Sequence, residues 1–123
     1  MKPGLHGQVS IVVGDTDTAI AAGSGDVPVL GTPRLLALAE AATVEAVRSH
    51  LGDGRTSVGT RVELEHRAAS PVGARVTVEA ELEEVDGRRL LFGIRAVDAR
   101  GVVGIGRVER VVVERERFLA RLQ

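Results

Sequence analysis

Apolar and polar residues alternate from Gln8 to Val13, with Val9, Ile11 and Val13 on one side and Gln8 and Ser10 on the other. A period of two is the signature of a half-buried strand. Gly14 to Gly31 has no period. It is rich in Gly, Asp, Thr and Ala and holds Pro28, so it reads as a long irregular segment, which in a small domain is often functional. The run from Leu35 to Val47 then has strong helix formers and no Gly or Pro. Thr32 suits an N-cap and Pro33 a first helical position, while Gly52 and Gly54 stop the helix after His50 and Leu51. The predicted helix is about 19 residues, roughly 28 Å. Its first half is apolar all round, so burial on every side is expected.

Everything after the helix alternates again. Thr56 to Ala69 places Val58, Thr60, Val62, Leu64 and His66 on one face. Ser70-Pro71-Val72-Gly73 reads as a turn. Ala74 to Val85 points Val76, Val78, Ala80 and Leu82 inward, and Asp86-Gly87 is a strong hairpin signal. Arg89 to Asp98 follows, with Leu90, Phe92, Ile94 and Ala96 inward. Ala99-Arg100-Gly101 turns into Val102 to Val113, and a charged tail from Glu114 to Gln123 suggests a short helix. The expected class is α+β: a strand, a loop, a long buried helix, then four strands in a meander. A helix apolar all round is best covered by a curved antiparallel sheet.

The chain has 123 residues, which predicts one domain over 1–123. Net charge is −1 and only two aromatic residues occur, Phe92 and Phe118. The charge balance argues against a basic phosphate-binding face and the aromatic count against a base-stacking platform, so no nucleic-acid partner is expected. Cysteine is absent, which removes disulfides, thiolate metal sites and cysteine nucleophiles. No apolar stretch has signal-peptide or membrane-spanning length, so a soluble cytoplasmic protein without a membrane partner is expected.

Candidate chemistry lies where polar residues break the apolar pattern. Glu40 is the only charge between Arg34 and Glu45 on the apolar helix. It marks either a face that reaches solvent or a subunit boundary, or a carboxylate held in a cleft to orient a histidine or a water. His66 falls on the inward strand face. It is either a satisfied core histidine or, paired with a carboxylate, a general base. Thr32 is either a plain N-cap or a hydroxyl beside free N–H groups able to hold an oxyanion. Thr32 and Glu40 are about 12 Å apart along a helix axis and about 80° apart around it. One helix cannot bring them to one atom, so if both serve one site, a spanning substrate or a second subunit is needed. Gly59, inside a strand, marks a bulge or a close backbone approach. Gly104-x-Gly106 lacks the dinucleotide spacing, and His6 and His50 have no metal-ligand spacing.

Thr32-Pro33 with Glu40, then Thr56-Ser57-Val58-Gly59-Thr60, then His66-Arg67-Ala68-Ala69-Ser70-Pro71-Val72-Gly73, resembles the fluoroacetyl-CoA thioesterase family of hotdog-fold proteins. Val85-Asp86-Gly87-Arg88, Gly104-Ile105-Gly106 and Arg110-Val111-Val112 extend the match to most of the chain. The resemblance implies a long central helix wrapped by a five-stranded antiparallel sheet, and a homodimer or higher oligomer with acyl-CoA sites at the subunit boundary. It implies Thr32, Glu40 and His66 as the catalytic group and Gly59 as a substrate contact. The expected reaction is hydrolysis of a small acyl-CoA thioester without metal or redox cofactor. His66 acts as general base oriented by Glu40, and Thr32 as nucleophile or water-positioning hydroxyl. A hotdog hydratase or dehydratase, and a non-catalytic acyl-CoA-binding dimer, are the alternatives. Fluoroacetyl-selective members are expected to close the acyl pocket with aromatic residues before the helix. Ile20 to Gly31 contains none.

Overall fold

The computed structural model describes residues 1–123. Strand β1 (His6–Val12) leads through a 3₁₀ turn (Asp15–Asp17) and a short helix α1 (Ala19–Ala22) to the main helix α2 (Thr32–Val47). Four strands follow, β2 (Arg55–His66), β3 (Arg75–Asp86), β4 (Arg89–Asp98) and β5 (Gly101–Glu114), then helix α3 (Arg115–Ala120). All five strands form one antiparallel sheet in the order β1-β3-β4-β5-β2. The expected meander therefore holds only for β3, β4 and β5. The Ser70–Gly73 segment does turn, with the Ala74 N–H donating to the Pro71 carbonyl, but the turn belongs to a crossover and not to a hairpin, because β2 pairs with β5 and occupies the edge opposite β1.

The core lies between the sheet and α2. Leu35, Leu38, Ala39, Ala42, Ala46 and Val47 from the helix meet Val76, Val78, Ala80 and Leu82 of β3 and Leu90, Phe92, Ile94 and Ala96 of β4. The small helix residues let the sheet come close. A Cβ added to Gly7 on β1 would lie 2.3 Å from the Ala46 nitrogen and 2.4 Å from the Ala42 carbonyl oxygen. This five-stranded sheet curled around one long helix is the hotdog architecture.

Two local features depart from the pattern reading and shape the site. The first is a bulge. The β2–β5 register shifts between Gly59 and Arg61, leaving Thr60 as the extra residue. A bulge reverses the alternation. Val62, Leu64 and His66 remain on the core side, but before the bulge Ser57 and Gly59 take that side, and the Thr60 hydroxyl bonds to Glu109 instead. The second is the helix itself, which is 16 residues and is not covered on every side. Ala37 is exposed and Leu36, Ala41 and Val44 are half-buried. With Pro33 and Glu40 they form a stripe at helical spacing that this chain leaves open.

Candidate active site

Thr32 is the first residue of α2, not its N-cap. Gly31 caps the helix in an extended conformation without a side-chain bond. The threonine hydroxyl is thus free of the capping role, and its oxygen lies 2.8 Å from Nδ1 of His66. Ordered loops create this contact. Asp17 accepts from Arg34 Nε at 2.8 Å and from the Gly14 N–H at 2.8 Å, and the Gly31 N–H donates to the Asp17 carbonyl. These bonds fix the start of the helix. Hydrogen bonds from Gly14 and Arg34 hold the Asp17 carboxyl below its usual pKa, so the tie is ionised at neutral pH. The Leu30 N–H donates to the Ser70 carbonyl, joining the segment before α2 to the segment after β2.

His66 ends β2 opposite Gly104, and the N–H groups of Arg67 and Ala68 both donate to the Val103 carbonyl. The following loop is clamped by Asp98, whose side chain is 2% exposed. Asp98 accepts from the buried Ser70 hydroxyl at 2.8 Å and from Arg100, while Arg100 also donates to the Ala69 carbonyl. Burial alone would raise the Asp98 pKa; the bonds from the Arg100 N–H, Ser70 and the Arg100 guanidinium overcome it and hold the carboxyl below its usual range.

Burial holds the His66 pKa below the usual imidazole value, opposed in part by the Ala68 backbone. The ring is therefore neutral at pH 7, the form a general base requires. In the tautomer a base acting on Thr32 needs, Nδ1 accepts from the hydroxyl and the ring carries its proton on Nε2. That nitrogen is buried and has no partner within the chain. A buried donor left unpaired costs about 1–3 kcal/mol.

Glu40 stands elsewhere. Its carboxylate lies against Gly59, where a Cβ would be 2.3 Å from Oε2, and it accepts from Arg110 Nη1 at 3.3 Å. Arg110 is nearly buried and donates through Nε to Ser57 Oγ at 2.8 Å and through Nη2 to the Ser57 carbonyl at 2.9 Å. Burial lowers the Arg110 pKa, with Glu40 opposing that shift. The four candidates thus form two pairs, Thr32 with His66 and Glu40 with Gly59. The expected Glu40–His66 contact is not made within one chain. Gly59 and His66 are seven residues apart on β2, roughly 23 Å at strand rise.

Arg110 is a site residue the pattern reading does not single out. The signal was an Arg between Val108 and Val112 in the inward phase of β5. It was masked because Val111 and Val113 make the other phase equally apolar. A cavity of about 310 Å³ opens beside Thr32 and His66, between α1, the segment before α2 and residues 67–69. The largest concavity, about 660 Å³, lies on the outer sheet face among Glu63, Glu65, Glu79, Glu81 and Glu83, and contains none of the four candidates. No three His, Cys, Asp or Glu side chains come together to hold a metal, and no helix is long and apolar enough to cross a membrane.

Comparison with known proteins now decides the family. The profile described as "FlK: Fluoroacetyl-CoA-specific thioesterase" matches residues 13–116. The chain belongs to this family. Fluoroacetyl-CoA thioesterase from Streptantibioticus cattleyicolor is 40% identical over 95 residues, which is 77% of this chain and 68% of the relative. A crystal structure of a fluoroacetyl-CoA thioesterase, a threonine-to-serine variant with acetyl-CoA bound, superposes with a TM-score of 0.92 at 33% identity, covering 99% of this chain and 96% of the other. A Thermus thermophilus thioesterase-superfamily protein superposes with a TM-score of 0.91 at 26% identity, covering 98% and 90%. The family is one of thioester hydrolases, and this member keeps its hotdog fold.

Proposed function

We propose that this chain hydrolyses a small acyl-CoA thioester, using His66 as general base on Thr32 or on a water that Thr32 holds. The observation that carries the reading is the 2.8 Å bond between the Thr32 hydroxyl and Nδ1 of His66 at the wall of an open cavity. Neutral Nδ1 takes the proton as the oxygen attacks the thioester carbon, and the imidazolium returns it to the departing CoA thiolate. The carbonyl oxygen gains negative charge in the tetrahedral state. The start of α2 favours that charge: Pro33 has no N–H, the first intrahelical bond is from Leu35 to Gly31, and the helix dipole points its positive end there.

Imidazolium is stabilised by a carboxylate on its other nitrogen. Glu40 fills this role when it comes from a second copy. Strand β2 is an open edge, and the stripe of α2 beside it is uncovered. Consider two β2 strands paired antiparallel about Glu63, with Thr60 skipped as the bulge. Opposite residues must then share a face, and they do: Leu64 meets Val62, Arg61 meets Glu65, and His66 meets Gly59 of the partner subunit. Gly59 is where Glu40 lies, so Glu40 of the partner subunit arrives at His66. Gly59 in this arrangement borders the substrate as well as the carboxylate. The homodimer is part of the proposal, as is acyl-CoA as substrate.

A thiol-release assay on acyl-CoA substrates tests the reading. His66→Ala and Glu40→Gln each abolish release while the fold, followed by circular dichroism, is retained. Unchanged release in both variants refutes the roles. Hydration of an enoyl-CoA without thiol release would instead identify a hydratase. Thr32→Ser keeps turnover and Thr32→Val loses it; mass spectrometry of a quenched reaction separates an acyl-enzyme on Thr32 from water attack.

A further inference from the structure

We infer that the cavity beside Thr32 and His66 selects an uncharged aliphatic acyl chain of about four to eight carbons, rather than a two-carbon group. The inference rests on the thioesterase reading and names its substrate class. The cavity is about 310 Å³. At a water's share of ~30 Å³ per non-hydrogen atom it has room for roughly ten atoms, far more than an acetyl group fills. Its apolar wall is Ala19, Val27, Val29, Leu30, Ala68 and Ala69. The only charged residue on it is Arg67, whose guanidinium pairs with Glu65 at 3.4 Å. No carboxylate lines it, so nothing there suits an amino-acyl chain.

Two further observations point to a longer chain. Val27 at the cavity is 51% exposed, leaving apolar surface to water that an aliphatic chain would cover. No ring closes the space down: Phe92 is fully buried in the sheet core and Phe118 sits in α3. Telling fluoroacetyl from acetyl means sensing one atom, which needs a tight enclosure. An open wall of Ala and Val side chains gives little discrimination at that scale.

The test is kcat/KM for thiol release across acetyl-, fluoroacetyl-, butyryl-, hexanoyl- and octanoyl-CoA, with binding of S-ethyl- and S-hexyl-CoA thioethers measured by calorimetry. Each methylene from acetyl to hexanoyl raises kcat/KM by two- to fourfold, the upper figure being about 0.8 kcal/mol per buried CH₂. S-hexyl-CoA binds more tightly than S-ethyl-CoA. Val27→Asp, checked for folding by its melting temperature, flattens both dependences. Thiol release that is flat with length, or highest for fluoroacetyl-CoA, overturns the chain-length inference and leaves the thioesterase reading standing. Absence of thiol release from every substrate overturns that reading. The thioethers then judge the cavity separately, since equal affinities overturn it and a length dependence lost in Val27→Asp upholds it.

Discussion

Gly59→Ala separates the catalytic part played by Glu40 and its seat on Gly59 from their structural part. The added Cβ would lie 2.3 Å from Glu40 Oε2, whereas ordinary contact begins at 3.4 Å. The carboxylate must therefore retreat by more than 1 Å. The obstacle is the far end of a flexible side chain, and Gly59 has no positive φ, so the backbone accepts alanine without strain. Alanine also gains roughly 0.5–1 kcal/mol over glycine inside a strand. Loss of the 3.3 Å Arg110 contact offsets that gain, but Arg110 keeps both bonds to Ser57. Net stability should stay within about 1 kcal/mol, a melting shift of a few degrees. Turnover behaves differently. A displacement of about 1 Å in a catalytic constellation costs on the order of 10²-fold. Thermal melting and steady-state thiol release on the same preparation give both numbers. A variant that melts normally and turns over at the wild-type rate refutes the claim that Glu40 acts from its seat on Gly59. A variant that unfolds refutes the packing argument.

Gly7→Ala should do the reverse, because its Cβ would strike the Ala46 nitrogen and Ala42 carbonyl, which are backbone and cannot turn aside; a loss of about 3 kcal/mol or more by urea melting is expected. In Glu40→Gln protein, where burial acts without a carboxylate at the ring, the His66 pKa read by NMR should fall below 6.5; the wild-type value should lie above the variant's because the carboxylate favours imidazolium, and the acid limb of wild-type kcat/KM should follow it. In that variant the folded value is the lower one, so the unfolded chain binds the extra proton; its stability falls as pH drops from about 6.5 towards the folded pKa, and His66 contributes no slope above that window. Asp98→Ala leaves the fully buried Ser70 hydroxyl without its partner; urea melting should show a loss of about 1–3 kcal/mol, and kcat should drop as the His66 loop loosens. Wild-type Asp98 stabilises fully above pH 3.8, a contribution lost as pH falls through its lowered pKa.

The alternation of β3 and β4 was readable because each has one apolar phase; Val76, Val78, Ala80, Leu82, Leu90, Phe92, Ile94 and Ala96 all reach the core as expected. β2 was readable only beyond Gly59. The bulge at Thr60 reverses phase there, and periodicity cannot mark which residue is extra. The position of β2 at the far edge was hidden too, since Ser-Pro-Val-Gly turns the chain in the same way inside a crossover as inside a hairpin. At the site, Thr32, Glu40, His66 and Gly59 stood out as pattern breaks, but their pairing did not. Thr32 meets His66 because Leu30 bonds to Ser70, a long-range backbone contact with no sequence signature. The first half of α2 read as buried all round, with Glu40 alone hinting at solvent or a subunit boundary, because composition records apolarity and not which molecule covers it; Ala37 is in fact exposed.

Mixing His66→Ala protein with Glu40→Gln protein, each inactive alone, tests the two-copy site most directly. In a mixed dimer one site joins the intact His66 of one chain to the intact Glu40 of the other. Random exchange of equal amounts makes half the dimers mixed, so about a quarter of wild-type thiol release should return. Mixtures that exchange subunits yet stay inactive would contradict the account.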